Sequence, residues 1–287
     1  MILSTQSSHL SDRLGEMAAI KILKWAGYDA IDFSMFTNLS RPEHPLSQNS
    51  FRDYALQMRK VADEAGIVFN QAHAPFPTYK DGDDAYNTKT FADIIRSLEI
   101  AAILGAAIVV VHPVYLPDPQ EKKALNLSLF RRLQPYCESL GLKVALENMW
   151  GRDETGTRII PNVCSTGENL IEYLDELDSR YFTVCLDLGH CGLVGEDAAD
   201  MIRVLGQQRL LSLHVHDNNF REDTHTVPFQ GQMDWQAITA ALADIHYAGD
   251  LTLESDNFLK GYPDAFLPQA ARFMQEIGRH LIRMIAD

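Results

Sequence analysis

The sequence predicts an α/β fold in which eight strand–helix units close into a single (β/α)8 TIM barrel, with the active site at the C-terminal ends of the strands. Three observations predict it. Short β-branched runs alternate with longer amphipathic stretches throughout the 287 residues, a rhythm that builds a parallel sheet covered by helices. Eight units of this size match a closed barrel of about 250 residues with extended loops. The competing open sheet usually announces itself with a Gly-rich turn after its first strand, and SSHLSDRLGE is not one.

The elements follow in order. Strand one is read at Ile2–Thr5, with a helix over Asp12–Trp25 ended by Gly27. Strand two, Ala30–Phe33, leads through the loop Phe36–Ser50 to a helix over Phe51–Ala65 ended by Gly66. Strand three, Val68–His73, passes by way of Ala74–Asn87 to Thr88–Leu104 and Gly105. Strand four, Ala107–His112, precedes Lys122–Leu140 and Gly141. Strand five, Lys143–Glu147, runs through Asn148–Thr166 to Gly167–Leu177, and strand six, Thr183–Asp187, precedes Asp197–Leu205. Strand seven, Leu211–His216, leads through Asp217–Asp234 to Trp235–His246, with Gly249 read as the helix end. Strand eight, Leu251–Glu254, and a helix over Pro263–Ile285 finish the chain. A Gly just past a helical pattern is a left-handed C-cap signal. No linker or composition break interrupts the series, so residues 1–287 are read as one domain. The longest loops all follow strands, on the side that carries active sites in such barrels. Phe266, Phe273, Ile277, Leu281 and Ile285 form an apolar stripe on the last helix, which expects the barrel or a second subunit as its cover. A homo-oligomer, dimer or tetramer, is expected.

Composition narrows the partners. Lys plus Arg total 25 against 39 Asp plus Glu, a net charge of −14 that repels phosphate backbones and weighs against a nucleic-acid partner. No apolar run reaches the ~18 residues of a membrane span, and Met1–Leu10 lacks the pattern of a signal peptide; no membrane partner is expected. Cys137, Cys164, Cys185 and Cys191 form no CxxC pair, so the expected location is the reducing cytoplasm.

Chemistry concentrates where the strands stop. Strands three to eight end FNQAHAPF, IVVVHPVY, KVALENMWG, TVCLDLGHCG, LSLHVHDNN and LTLESDN. Their tips are His73, His112, Glu147, Asp187, His214 with His216, and Glu254. Because side chains alternate faces along a strand, Val144, Leu146, Val184, Leu186, Leu213 and Leu253 point outward, leaving Glu147, Asp187, His214 and Glu254 inward. A single strand-end His is ordinarily a hydrogen-bonded core residue, and a single Asp or Glu at a strand–helix junction is ordinarily an N-cap. Capping does not account for such tips on six consecutive strands. Three carboxylates converging with no Lys or Arg beside them call for a cation, and an oxygen-rich set with one nitrogen suits Mn²⁺, Mg²⁺ or Co²⁺.

The segments ALENMWG, CLDLGHCGL and HVHDNNFREDTHTVPFQGQMDW resemble the xylose-isomerase-like barrel superfamily, which includes sugar phosphate isomerases and epimerases, ketose 3-epimerases, inosose dehydratases and endonuclease IV-like proteins. The resemblance implies a divalent-metal-dependent sugar isomerase or 3-epimerase acting on small ketose-type sugars through a metal-stabilised enediolate. It implies one divalent ion, Mn²⁺ foremost with Mg²⁺, Co²⁺ or Zn²⁺ as alternatives, held by Glu147, Asp187, His214 and Glu254. Glu147 and Glu254 would then be the catalytic acid and base. His190 matches a substrate-contact histidine of the family; His73, His112, His225 and Trp150 are further substrate-binding candidates, and Asn148 a candidate for a substrate hydroxyl. His216 and Asp217 are read as supporting or rim positions, since His214 fills the family position. Two departures stand out: His225 replaces the Arg of ketose 3-epimerases, and Phe229 replaces a Gly. The nine ligand types of the endonuclease IV trizinc site also occur in order, at His73, His112, Glu147, Asp187, His190, His214, Asp223, His225 and Glu254. A trizinc phosphodiesterase is therefore an alternative, beside a metal-dependent lyase or dehydratase on a keto-sugar or inosose and a barrel that binds without catalysis.

Overall fold

The computed structural model of the protein describes residues 1–286. Barrel strands β1 (Leu3–Gln6), β2 (Ala30–Ser34), β3 (Val68–His73), β4 (Ile108–Val111) and β5 (Lys143–Glu147) pair in parallel, each with the next. The chain then makes a short antiparallel hairpin, β6 (Trp150–Arg152) with β7 (Ile159–Pro161), before returning to the barrel as β8 (Phe182–Asp187), β9 (Leu210–His214) and β10 (Leu251–Leu253). The ring closes where the Val215 N–H donates to the Thr252 carbonyl at 2.9 Å and the Glu254 N–H donates to the Val215 carbonyl at 3.0 Å. The protein is a (β/α)8 TIM barrel.

Alternation along the strands separates two cores. Val109, Val111, Val144, Leu146, Val184, Leu186, Leu213 and Leu253 face outward, are fully buried and belong to the apolar layer under the helices. Burying such a side chain contributes about 1.5–3 kcal/mol. Inside the barrel Val110, Ala145 and Cys185 form a separate small cluster, beneath the strand tips. The inward parity read from the sequence is therefore the one observed.

The covering helices are α1 (Ser8–Leu14), α2 (Glu16–Ala26), α3 (Phe51–Ala65), α4 (Asp84–Leu104), α5 (Pro119–Leu140), α6 (Gly167–Leu174), α7 (Leu188–Val194), α8 (Ala198–Arg209), α9 (Trp235–Asp244) and α10 (Leu267–Ala286). Gly27, Gly66, Gly105 and Gly141 are the left-handed caps expected. Five readings of elements need correction. The helix expected over Asp12–Trp25 is two helices, broken at Gly15 with φ 82°. A further helix, α7, follows β8 directly, and the loop after β5 contains a hairpin. Gly249 is no helix cap: α9 ends at Asp244 with Ile245 as its C-cap, and a Cβ on Gly249 would overlap the Leu211 carbonyl and the Tyr247 hydroxyl. On α10 the face turned to the barrel carries Leu267, Ala270, Ala271, Met274, Gly278 and Leu281, while Phe266 and Phe273 lie half exposed. Among the described residues no helix is long and apolar enough to cross a membrane.

Candidate active site

The tips of β5, β8, β9 and β10 deliver Glu147, Asp187, His214 and Glu254 to one place. All four are buried, and one ligand atom from each lies within 4.8 Å of every other. The His214 Nδ1 is 3.1 Å from Glu147 Oε1 and 3.2 Å from Glu254 Oε2. Its Nε2 lies 3.3 Å from Asp32 Oδ2. Asp187 has two duties. Its Oδ1 accepts the His190 N–H at 2.8 Å and so caps α7, while Asn148 staples it to β5: the Asp187 N–H donates to Asn148 Oδ1 at 2.7 Å and Asn148 Nδ2 donates to the Asp187 carbonyl at 2.9 Å. The capping account of a strand-end Asp is true here and coexists with a place in the cluster.

Two more groups adjoin this one. His73 and His112 bring Nε2 to 3.4 and 2.9 Å from Glu147 Oε2. His190, His216, Asp223 and His225 also converge within 4.8 Å, with His225 Nε2 3.1 Å and His190 Nε2 3.4 Å from Asp223 Oδ2. The rings are pre-set. The Nδ1 of His73, His190 and His225 pairs with the backbone carbonyls of Ala74 (2.8 Å), Asn148 (2.8 Å) and Glu254 (2.9 Å). A neutral imidazole that donates its Nδ1–H presents the Nε2 lone pair to the site, the usual support of a metal-ligating histidine.

The residues fit a divalent cation. Asp223 Oδ1 is buried without a hydrogen-bond partner, and Glu147 Oε2 faces only the Nε2 atoms of His73 and His112, an arrangement that is costly unless a proton or a cation lies between them. The electrostatics agree. Burial disfavours charge on His190 and His214, but Asp187 and Asp223 push His190 up to about 10, and Cys185, Glu254 and Glu147 hold His214 well above 6.5. Glu147 is driven well below 4.5 by His214 and His112 despite its burial, whereas burial beside Glu147 and Asp187 raises Glu254 well above it. Protons on imidazoles thus balance the carboxylates, and a cation taking the same lone pairs would release them. Above this floor lies a cavity of about 720 Å³, walled by Phe36, Phe76, Tyr115, Met149 and Trp150.

A family model described as a xylose isomerase-like TIM barrel matches residues 20–277. The chain belongs to that family. The uncharacterized protein y4fM of Sinorhizobium fredii is 30% identical over 262 residues, covering 83% of this chain and 80% of its own. The D-psicose 3-epimerase of Enterocloster bolteae is 26% identical over 213 residues, 71% of this chain and 66% of that one. A crystal structure of D-psicose 3-epimerase in the presence of D-fructose matches with a TM-score of 0.75 at 19% identity, covering 98% of this chain and 99% of that one. At that identity the structural likeness speaks for the fold.

In this xylose isomerase-like barrel every strand-tip residue singled out from the sequence reaches the cavity or its floor. Trp150 does so with its indole N–H on Asp223 Oδ2 at 3.1 Å. Asn148 does not act as a substrate contact; both ends of its buried amide are spent on Asp187. His216 is no rim residue: it is fully buried, with Nε2 3.0 Å from Asp187 Oδ1, and a Cβ on Gly189 would overlap its ring. Asp217 is structural, accepting from the Trp235 indole N–H at 2.8 Å and the Phe229 N–H at 3.0 Å. Phe229, read from the sequence as replacing a Gly, sits at φ 74°, a left-handed backbone that favours glycine. Gln6, whose amide donates to Glu254 Oε1, and Asp32 were not singled out. Both lie on inward positions of β1 and β2 that alternation alone identifies.

Proposed function

We propose that the chain is a divalent-metal-dependent isomerase or epimerase of small ketose-type sugars, located in the cytoplasm. The observation that carries this reading is the convergence of Glu147, Asp187, His214 and Glu254 within 4.8 Å at the base of the cavity. These four would hold the ion, Mn²⁺ foremost and Mg²⁺, Co²⁺ or Zn²⁺ as alternatives; when bound it supplies a Lewis acid for a substrate carbonyl and its neighbouring hydroxyl. Glu147 and Glu254 enter from strands separated around the rim by β8 and β9, so two carboxylates reach one substrate carbon from different directions. One takes the proton next to the carbonyl and the other returns it. His190 and His225 face the same cavity and would hold substrate hydroxyls, as would His73 and His112. Trp150 would cover an apolar sugar face. The D-psicose 3-epimerase relative supports a ketose substrate, and buried free cysteines fit a reducing compartment.

One observation favours a second reading. Three adjoining ligand groups, two of them sharing Glu147, would suit a trizinc phosphodiesterase; the net charge of −14 opposes a nucleic-acid substrate. The test is metal analysis followed by incubation with a ketose panel in D₂O. About one ion per chain and enzyme-dependent deuterium next to the carbonyl is the expected result. About three zinc ions with cleavage of abasic duplexes would replace the proposal by the phosphodiesterase, and loss of water by the lyase.

A further inference from the structure

We propose that Asp32 is a positioning residue that fixes the His214 imidazole for cation binding, an inference that rests on the metal site proposed above. In β2 the residues on either side, Ile31 and Phe33, are buried in the layer under the helices, which turns Asp32 into the barrel. It is fully buried and does not line the cavity, so it cannot touch a substrate there. Its Oδ2 accepts from Gln71 Nε2 at 3.0 Å and lies 3.3 Å from His214 Nε2. The orientation of Gln71 is determined independently: its Oε1 accepts the Ser212 hydroxyl at 2.6 Å and the Thr252 hydroxyl at 3.3 Å, leaving only its amide nitrogen for Asp32. Three strands thus lock the carboxylate in place.

The consequence falls on His214. With Nε2–H donated to Asp32, a neutral ring carries its lone pair on Nδ1, the atom 3.1 Å from Glu147 Oε1 and 3.2 Å from Glu254 Oε2. A lone pair aimed at two carboxylates needs a cation or a proton between them. In the other tautomer Nδ1–H would bond to a glutamate and the ring would be lost as a ligand. Folding does not explain the acid. Among the described residues His214 is its one basic neighbour within 4.0 Å, and Oδ1 has no partner at all. A buried pair of this kind is weak evidence for a role in stability, since its replacement by apolar residues is often neutral or stabilising.

The test titrates metal-free protein with Mn²⁺ by calorimetry, comparing wild type with Asp32→Asn, which keeps the acceptor and drops the charge, and Asp32→Ala, which drops both. Removal of such a partner typically weakens binding 10–100-fold. The expected result, on protein that still unfolds in one cooperative thermal transition, is roughly tenfold weaker binding for Asp32→Asn and roughly a hundredfold for Asp32→Ala. A lowered midpoint with unchanged Mn²⁺ affinity would make Asp32 merely structural and overturn the proposal. Wild type binding Mn²⁺ as tightly as Asp32→Ala sinks the role of Asp32 alone; wild type binding none sinks the metal site with it.

Discussion

In the proposed reaction Glu147 and Glu254 would do two things at once, ligate and move a proton, and the two can be separated. A Gln is isosteric with Glu but cannot exchange protons, and general acid–base catalysis is typically worth 10²–10⁴-fold. Glu147→Gln and Glu254→Gln are therefore each expected to lower turnover by about a thousandfold or more. Metal content should fall more in Glu147→Gln, because Glu147 also faces His73 and His112. Near-normal turnover in either variant, measured as kcat on metal-loaded protein, would remove that glutamate from proton transfer. Such tips were legible because a charged residue closing a run of alternating Val and Leu has to point inward. Asp32 and Gln6 were less visible: each sits in a strand whose tip carries no ligand-type residue. His216 reads from the sequence as a supporting or rim position beside His214, with which it shares a face, and its contact with Asp187 is of the supporting kind.

At the scale of elements, the entry to α2 shows how loops and helices are tied beside the barrel. Glu16, in its first turn, is buried and accepts from Tyr54 of α3 at 2.8 Å and from His44 Nε2 at 2.8 Å. The direction of the His44 bond is set by its Nδ1, which accepts the Leu46 N–H. Burial opposes the charge of Glu16, yet the bonds from His44 and Tyr54 outweigh it and lower its pKa below 4.5. The stabilisation is therefore complete above pH 4.5 and is lost as the pH falls through the lowered value. Glu16→Gln is expected to cost about 1–3 kcal/mol at pH 7, and urea melts should show that difference shrinking below about pH 4. A constant difference from pH 7 to pH 3 would contradict the account. The alternation of strand and helix was readable because helix-ending glycines and β-branched runs mark boundaries locally. The helix α7 escaped because Gly189 and Gly192 read as a loop. Both glycines serve packing, since a Cβ on either would overlap His216 or Phe220. The barrel-facing side of α10 was displaced from the expected stripe for a similar reason: small residues, Ala270, Ala271 and Gly278, make the contact.

The whole molecule explains why residues from Glu147 to Glu254 share a site at all. Parallel strands must all point their C-terminal ends the same way, and closure through Val215 and Leu253 brings the last strands round to meet the first. Acidic and imidazole tips are then forced together within a strongly acidic chain, where a divalent ion would relieve the repulsion. Proton transfer, substrate binding and the role of Asp32 all depend on that ion occupying one place. An anomalous difference map from crystals grown with Mn²⁺ locates it directly. The account predicts a peak shared by Glu147, Asp187, His214 and Glu254; a map with no peak among these four, in crystals that carry Mn²⁺ elsewhere or none, would contradict it.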